Sequence, residues 1–549
     1  MRIAERNRLM ARRLKLLVVA MIPFVMHTEA SEVPTIVNIV NFVRGTEPRY
    51  PDRDLLEPVK NEIELNTSNN LPNTFLLQYD ALLRDDMVET VKTADKSLTE
   101  YGVWFEMCRQ LVEKCGIEWR GRKGWDWEWF VNPGFLMAYE PEQRERICDE
   151  VFRLFKERFG VYPKVAGSWL LDAHSMEYMS RKYGIDAFCI CREQVATDAY
   201  GLHGGYANGC YYPSKINALS PAVDSRNAIP VPVFRMLTPD PIYNYGACRY
   251  AKIGSVTNHL WNTCTMEPIS AAGISPDIVD WYFRVYTGSG RLGFSYMQTG
   301  QENSFSWTSI AKGLPYQIGK IAEMRDQKKV IVETLGDSGR RFKKNNGNIP
   351  QTLVALEDWA GNGYRSIWYN SKHYRANLIF DGRNLAFRDI HVFRDDFAER
   401  YLRLPCLKWH CSYLTPPVVD GAEFAGDGNS GTADFGGEFI SLDVSAPDSK
   451  TLVVSAVRKD STKLRLSFCE ESIMIDFGQS AERNWATARL HFRGYGPFFE
   501  NLDFPPGRIS MDYGGYRYQI SYHGDLKPSH HGWTLHPIKG RASLDFAVK

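Results

Sequence analysis

A chain of 549 residues, 44% of them apolar and 24% charged, is too long for one ordinary domain and too apolar for wholesale disorder. Its formal net charge of +1 offers no basic or acidic excess to recruit nucleic acid or an anionic membrane. Aromatic residues make up 13%, including 14 Trp and 28 Tyr, which suits either a large aromatic core or a cleft that stacks on sugar rings.

The chain opens on a basic stretch, MRIAERNRLMARRLK, followed by the short apolar run LLVVAMIPFVM and then TEA at 28–30. That order predicts a cleavable secretory signal over residues 1–30, and the apolar run is short for a membrane span. The expected location is secreted or periplasmic, with an uncleaved N-terminal anchor as the alternative. The 11 Cys include no CxxC pair and no zinc-finger spacing, so they read as core thiols.

From Val33 to Gln327 strand-like and helical runs alternate. TIVNIVNFV is a strand and DLLEPVKNEIELN a helix. NTFLLQYDAL and YGVWFEM are strands, each followed by a helical run, RDDMVETVKTADK and RQLVEKCG. In PEQRERICDEVFRLFKERFG the residues Ile147, Val151, Leu154 and Phe155 recur at helical spacing. VAGSWLLD is the next strand, and HSMEYMSRKYG is a helix that closes at Gly184. IDAFCICRE, IPVPVFRML, HLWNTCTME and RLGFSYMQ complete the strands. Repeated βα units predict a parallel sheet with helices outside, and about seven of them predict a closed or nearly closed barrel over residues 31–308. SIAKGLPYQIGKIAEMRDQ (309–327) reads as a connecting helix. From residue 328 to 549 short alternating runs such as PQTLVALEDW, RANLIFDG, TLVVSAV and LRLSF predict a β-rich C-terminal domain of sandwich type.

In a parallel barrel the chemistry sits at the C-terminal ends of the strands. Those ends carry Arg44, Asp80, Glu106, Asp172, Glu193, Glu267 and Glu302. A lone acid there is usually a helix cap, but six acids converging on one face repel one another unless they have a task or cationic partners. Asp172 leaves the apolar run VAGSWLL and is the first candidate for a nucleophile or base; the competing reading is an N-cap. Glu302, in GQENSFSW, is the candidate acid, with Gln301 beside it. Glu106 and Asp198 are the catalytic reserves. Arg44, Asp80, Trp104, Glu193, His203, Arg235, Trp261, Glu267 and Gln301 are the expected substrate-lining residues. WRGRKGWDWEWF (119–130), with Trp119, Trp125, Trp127 and Trp129, reads as a sugar-stacking lid or a packed insertion. No phosphate-binding glycine loop follows a strand, and no cofactor is expected.

LPNTFLLQYDAL, YGVWFEM, GSWLLDAHS and FSYMQTGQENSFSW follow one another in an order that resembles the glycoside hydrolase/deacetylase superfamily. Its members include polysaccharide deacetylases and the family 38 and family 57 glycoside hydrolases. GSWLLDAH, CREQVATDAYGLHGGY, VPVFRM and GQENSFSW are also similar to an uncharacterised bacterial group labelled glycoside hydrolase-like. The resemblance covers roughly residues 33–310. It implies an irregular (β/α)7 barrel, a carbohydrate substrate, a nucleophilic Asp172 and an acid near Glu302. Strand one, VNFVRG, and strand three, VWFEM, lack the Asp and His ligands of the metal-dependent members. A metal-independent glycosidase using two carboxylates, one protonated and one ionised, is the leading expectation. An inactive carbohydrate-binding barrel and a metal-dependent carbohydrate deacetylase are the alternatives. The expected partner is an oligosaccharide or polysaccharide.

Overall fold

TIVNIVNFV forms β1 (Thr35–Val43), buried along its whole length. A strand covered on both faces reads as a near-continuous apolar run, and this one does. The computed structural model describes residues 34–547 except 192–193, 198–199, 208, 237–240, 243–251, 254–255, 258–275, 346–348, 421–429 and 479–487. The expected signal over 1–30 and the expected strand HLWNTCTME lie outside the described residues.

β2 (Asn73–Leu77), β3 (Thr99–Trp104), β4 (Val165–Ser168), β5 (Ala187–Ile190), β6 (Val233–Arg235) and β7 (Tyr296–Thr299) complete a parallel row. Its order is β7-β1-β2-β3-β4-β5-β6. The two ends of the row meet through rings: Phe234 on β6 lies 5.0 Å from Tyr296 on β7. The result is a nearly closed barrel with helices outside. These include α1 (Leu56–Ser68), α2 (Asp85–Lys92), α3 (Pro141–Phe159), α4 (Ala173–Tyr183) and α5 (Pro276–Thr287).

α3 shows how local sequence sets an element. Pro141 stands at its first turn, Glu140 and Gln143 form a reciprocal capping box, and Gly160 ends it at φ 80°. Ile147, Val151, Leu154 and Phe155 are buried, each contributing roughly 1.5–3 kcal/mol relative to exposure. Arg144 on the same face is also fully buried, which helical periodicity does not foretell.

The expected boundary at residue 328 moves. α6 (Gly313–Asp326) is a crossover helix, because the strand after it, β8 (Val330–Val332), pairs in parallel with Thr35–Val37 of β1. Parallel neighbours require such a crossover. α7 (Leu335–Lys344) then packs on the barrel, with Asn38 Nδ2 donating to Ser338 Oγ at 2.8 Å. The all-β part therefore begins near Gln351, past the run VIVETL. It is a sandwich of a nine-stranded and a seven-stranded sheet, antiparallel throughout. Tyr374 meets Phe546 at 4.2 Å and Tyr369 meets Phe468 at 5.6 Å in its core.

Residues 33–549 form one compact unit. Between β5 and β6 the chain makes an excursion that reaches the C-terminal part. Tyr200–His203 pairs in parallel with Cys411–Leu414. Cys210 donates its amide to Gln351 Oε1 at 3.1 Å.

Candidate active site

β1 ends at Val43, and the next residue, Arg44, leaves the mouth of the barrel. Two residues past β3 stands Glu106, and three past β7 stands Glu302. Parallel strands release their ends on one side, so these three side chains meet. Arg44 Nε and Nη2 each donate to Glu106 at 3.1 Å, a forked ion pair. Arg44 Nη1 lies 2.5 Å from Glu302 Oε1 and 3.5 Å from Glu47 Oε2. One guanidinium thus gathers three carboxylates.

The position of Glu302 is set by main chain on both sides. Gly300 has φ 147°, and a Cβ there would fall 1.7 Å from the Val40 carbonyl oxygen, so only glycine lets the chain run this close to β1. Phe42 N then donates to Gln301 O at 2.9 Å, and Asn303 N to Phe42 O at 3.1 Å. The Asn303 side chain clamps Arg44 itself, accepting from its amide at 2.8 Å and donating to its carbonyl at 3.0 Å. The Ser304 hydroxyl donates to Glu302 Oε1.

Aromatic rings wall the cluster. Trp104 Nε1 donates to Glu106 Oε2 at 2.8 Å. Phe42 stacks on Trp104 at 4.0 Å, and Trp169 stands edge-on to Trp104 at 5.1 Å. Trp127 lies under the Arg44 guanidinium at 4.2 Å. Arg49 binds Glu47, with its Nε donating to Oε1 at 2.7 Å. Burial opposes ionisation of Glu47, but Arg49 and Arg44 outweigh it and hold the carboxyl below its ordinary range. Glu302 is 6% exposed and Glu106 2%, so Glu302 is the more open acid.

Asp172 requires a correction. It is the N-cap of α4 and wholly buried. Its Oδ1 accepts from Ser175 N at 2.9 Å and from Arg144 Nη1 at 3.0 Å, and its Oδ2 accepts from Ser175 Oγ at 2.8 Å. A carboxylate sealed from solvent and engaged this way caps a helix and neutralises a buried arginine. β4 stops at Ser168, so Asp172 is four residues beyond the strand rather than at its tip. Glu399 lies beside it, accepting from the amides of Ala173 and Ala218 at 2.9 and 2.8 Å.

Asp80 is also a fastener. Its Oδ1 accepts from Gly45 N at 3.0 Å and its Oδ2 from Thr46 Oγ1 at 2.9 Å, pinning the turn that follows Arg44. Burial raises its pKa against those hydrogen bonds. Arg235 is fully buried and donates to the carbonyls of Cys191 and Gly204 at 2.7 and 3.0 Å, holding the β5–β6 excursion. Gln301 is buried next to Glu302. Glu193, Asp198, Trp261 and Glu267 lie outside the described residues; His203 is placed only as part of the strand Tyr200–His203. Strand-end reasoning missed Glu47 and Trp169. Glu47 follows Arg44 by three residues, and a wider window past β1 would have included it. Among the described residues no three His, Cys, Asp or Glu side chains form a group suited to a metal ion.

No family model and no curated protein matches the chain. Solved structures do match. A candidate glycoside hydrolase/deacetylase from Parabacteroides distasonis aligns with a TM-score of 0.52 over 71% of this chain and 92% of its own, at 15% identity. The chain shares the fold of that structure. At that identity the likeness is one of fold alone. A candidate polysaccharide deacetylase from Mycobacterium smegmatis aligns at TM-score 0.33 and 12% identity, over 57% of this chain and 92% of its own. A GH57-type branching enzyme from Pyrococcus horikoshii aligns at 0.30 and 8%, over 56% and 70%. These two likenesses add no weight.

Proposed function

We propose that this chain is a carbohydrate-active hydrolase that cleaves a glycosidic bond with Glu106 and Glu302. The observation that carries the reading is a pair of carboxylates held on one guanidinium, Arg44, at the aromatic mouth of a glycoside hydrolase/deacetylase barrel. Bond cleavage needs one carboxyl to protonate the leaving oxygen and one carboxylate to attack the anomeric carbon or activate water. Glu106 takes the second role, since two N–H groups of Arg44 and the indole of Trp104 stabilise its charge. Glu302 takes the first, because it is the more open of the two and so the better placed to reach a leaving oxygen. Trp169, the most open of the rings around the cluster, supplies a face for a sugar ring. Asp172 is not part of this reading.

The test is turnover on a panel of plant and host glycans, some acetylated, with Glu106→Gln and Glu302→Gln. Each amide keeps size but removes ionisation or proton donation, so each lowers release of reducing ends by at least about 10²-fold with folding unchanged. Full activity in both variants would falsify the assignment. Release of acetate without new reducing ends would replace the glycosidase by a deacetylase.

A further inference from the structure

A cavity of about 640 Å³ opens where the β5–β6 excursion meets the seven-stranded sheet of the sandwich. None of its lining residues belongs to the cluster around Arg44. Arg394 stands in its wall, 5% exposed. Its guanidinium donates to the carbonyls of Phe393 and Phe546 at 3.0 Å and of Gln519 at 3.1 Å. A guanidinium has five N–H hydrogens, so two remain without an acceptor among the described residues. No carboxylate there lies within ion-pair distance of it. Burial draws its pKa below that of a free arginine, although the nearby Tyr516, Asp396 and Tyr518 raise it.

Gln519 brings a second cation to the same wall. Its main-chain oxygen takes Arg394, and its Oε1 takes Arg508 Nη1 at 3.1 Å. Arg508 is exposed and likewise has no ion-pair partner among the described residues. Gln519 thus ties both guanidiniums to one wall, where a single anion would answer both. Of the wall's other charges, Asp224 and Arg517 have ion-pair partners, while Asp395 and Asp396 are held by neutral donors. Asp224 pairs with Arg226 at 2.5 Å, and Arg517 with Asp512 at 3.2 Å. Asp395 accepts from Val223 N at 2.9 Å, Asp224 N at 2.8 Å and Asn227 Nδ2 at 3.0 Å. Asp396 accepts from the Tyr516 hydroxyl at 2.6 Å.

We propose that this seam cavity binds an acidic sugar, its carboxylate or sulfate ester held by Arg394 and Arg508. An inorganic ion needs far less room than about 640 Å³, a volume within the range of sites that enclose an organic ligand. The half-buried ring of Tyr516, layered on Tyr518 at 5.7 Å, offers a sugar an apolar wall beside the arginines. The site is a binding site only, and it does not depend on the hydrolytic reading of the barrel mouth.

Calorimetry on the full chain tests it, with four probes: a trigalacturonate, a sulfated disaccharide, inorganic sulfate, and uncharged maltotriose. At least one acidic saccharide binds, at least about tenfold more tightly than maltotriose. The carboxylate and sulfate arms decide which anion the site takes. Binding weakens at least about tenfold in Arg508→Gln and again in Arg394→Gln, and is unchanged in Glu302→Gln. Should Arg394→Gln not fold, Arg508→Gln, at an exposed position, decides alone. Equal affinity for maltotriose, binding of inorganic sulfate only, no binding at all, or acidic-sugar affinity that survives Arg508→Gln or falls in Glu302→Gln each overturns the proposal.

Discussion

Arg44 and Arg144 are both buried arginines holding acids, yet they serve different ends. Arg44 sits at the barrel mouth, 3% exposed, with two acids that leave β3 and β7. Arg144 is wholly enclosed and spends its donors on Asp172 and on carbonyls, including Tyr139 O at 2.7 Å and Tyr401 O at 2.9 Å. Removing one partner of a buried pair strands the other charge, at about 3–5 kcal/mol. Asp172→Ala therefore destabilises the fold by about that much in urea or guanidinium unfolding. Asp172→Asn keeps part of the cap and costs less. If Asp172→Asn unfolds like the native chain but has lost turnover, the scaffold role is wrong. The N-cap alternative was legible beforehand, because Asp172 precedes a helical run; the arginine that seals it was not.

Two glycines at element ends separate conformational preference from close packing. Gly160 ends α3 at φ 80°, and a Cβ there would meet nothing within 4 Å. Gly160→Ala should cost only the left-handed conformation, roughly 1 kcal/mol. Gly300 is different, because its Cβ would collide with the main chain of β1 at 1.7 Å. Gly300→Ala must push β7 and β1 apart just before Glu302. The expected result is a larger loss of stability than in Gly160→Ala, together with a fall in turnover toward that of Glu302→Gln. Thermal melts and initial rates on the two variants check this; equal effects would remove Gly300 from the account of how Glu302 is placed. Both residues could be picked from sequence as turn signals, but the β1 carbonyl opposite Gly300 is some 260 positions away in the chain.

At the scale of the molecule, the β-rich half reaches into the barrel through Glu399. Burial first, then the nearby charge of Asp172, pushes its pKa up to about 8. The folded chain thus keeps a proton that the unfolded chain gives up near the ordinary value of 4.5. Stability is accordingly lost as pH rises from about 4.5 to about 8. Glu399→Gln, which cannot ionise, should flatten that part of the curve, read as the difference in melting temperature between variant and native chain at pH 5 and pH 8. A difference that does not change with pH rejects the linkage. The same contacts predict what truncation does. A chain ending at Gln327 lacks β8, α7, Glu399 and the carbonyls that receive Arg144, and it should appear in the insoluble fraction. A soluble, cooperatively melting fragment would show that the barrel closes without them.

Periodicity and order along the chain determined the (β/α)-type barrel, its helices and the β-sandwich after it, because those follow from local spacing of apolar residues. The strand-end rule likewise put Arg44, Glu106 and Glu302 among the candidates. Sequence alone could not rank them, since Asp172, Asp80 and Glu302 all follow apolar strands and differ only in what packs against them. Nor could it place the domain boundary: Val330–Val332 is as strand-like as any run in the sandwich, and only its parallel pairing with β1 assigns it to the barrel. Which acid is capped, which is pinned and which shares a guanidinium is decided by contacts between residues far apart in the chain, and these exist only once the barrel has closed.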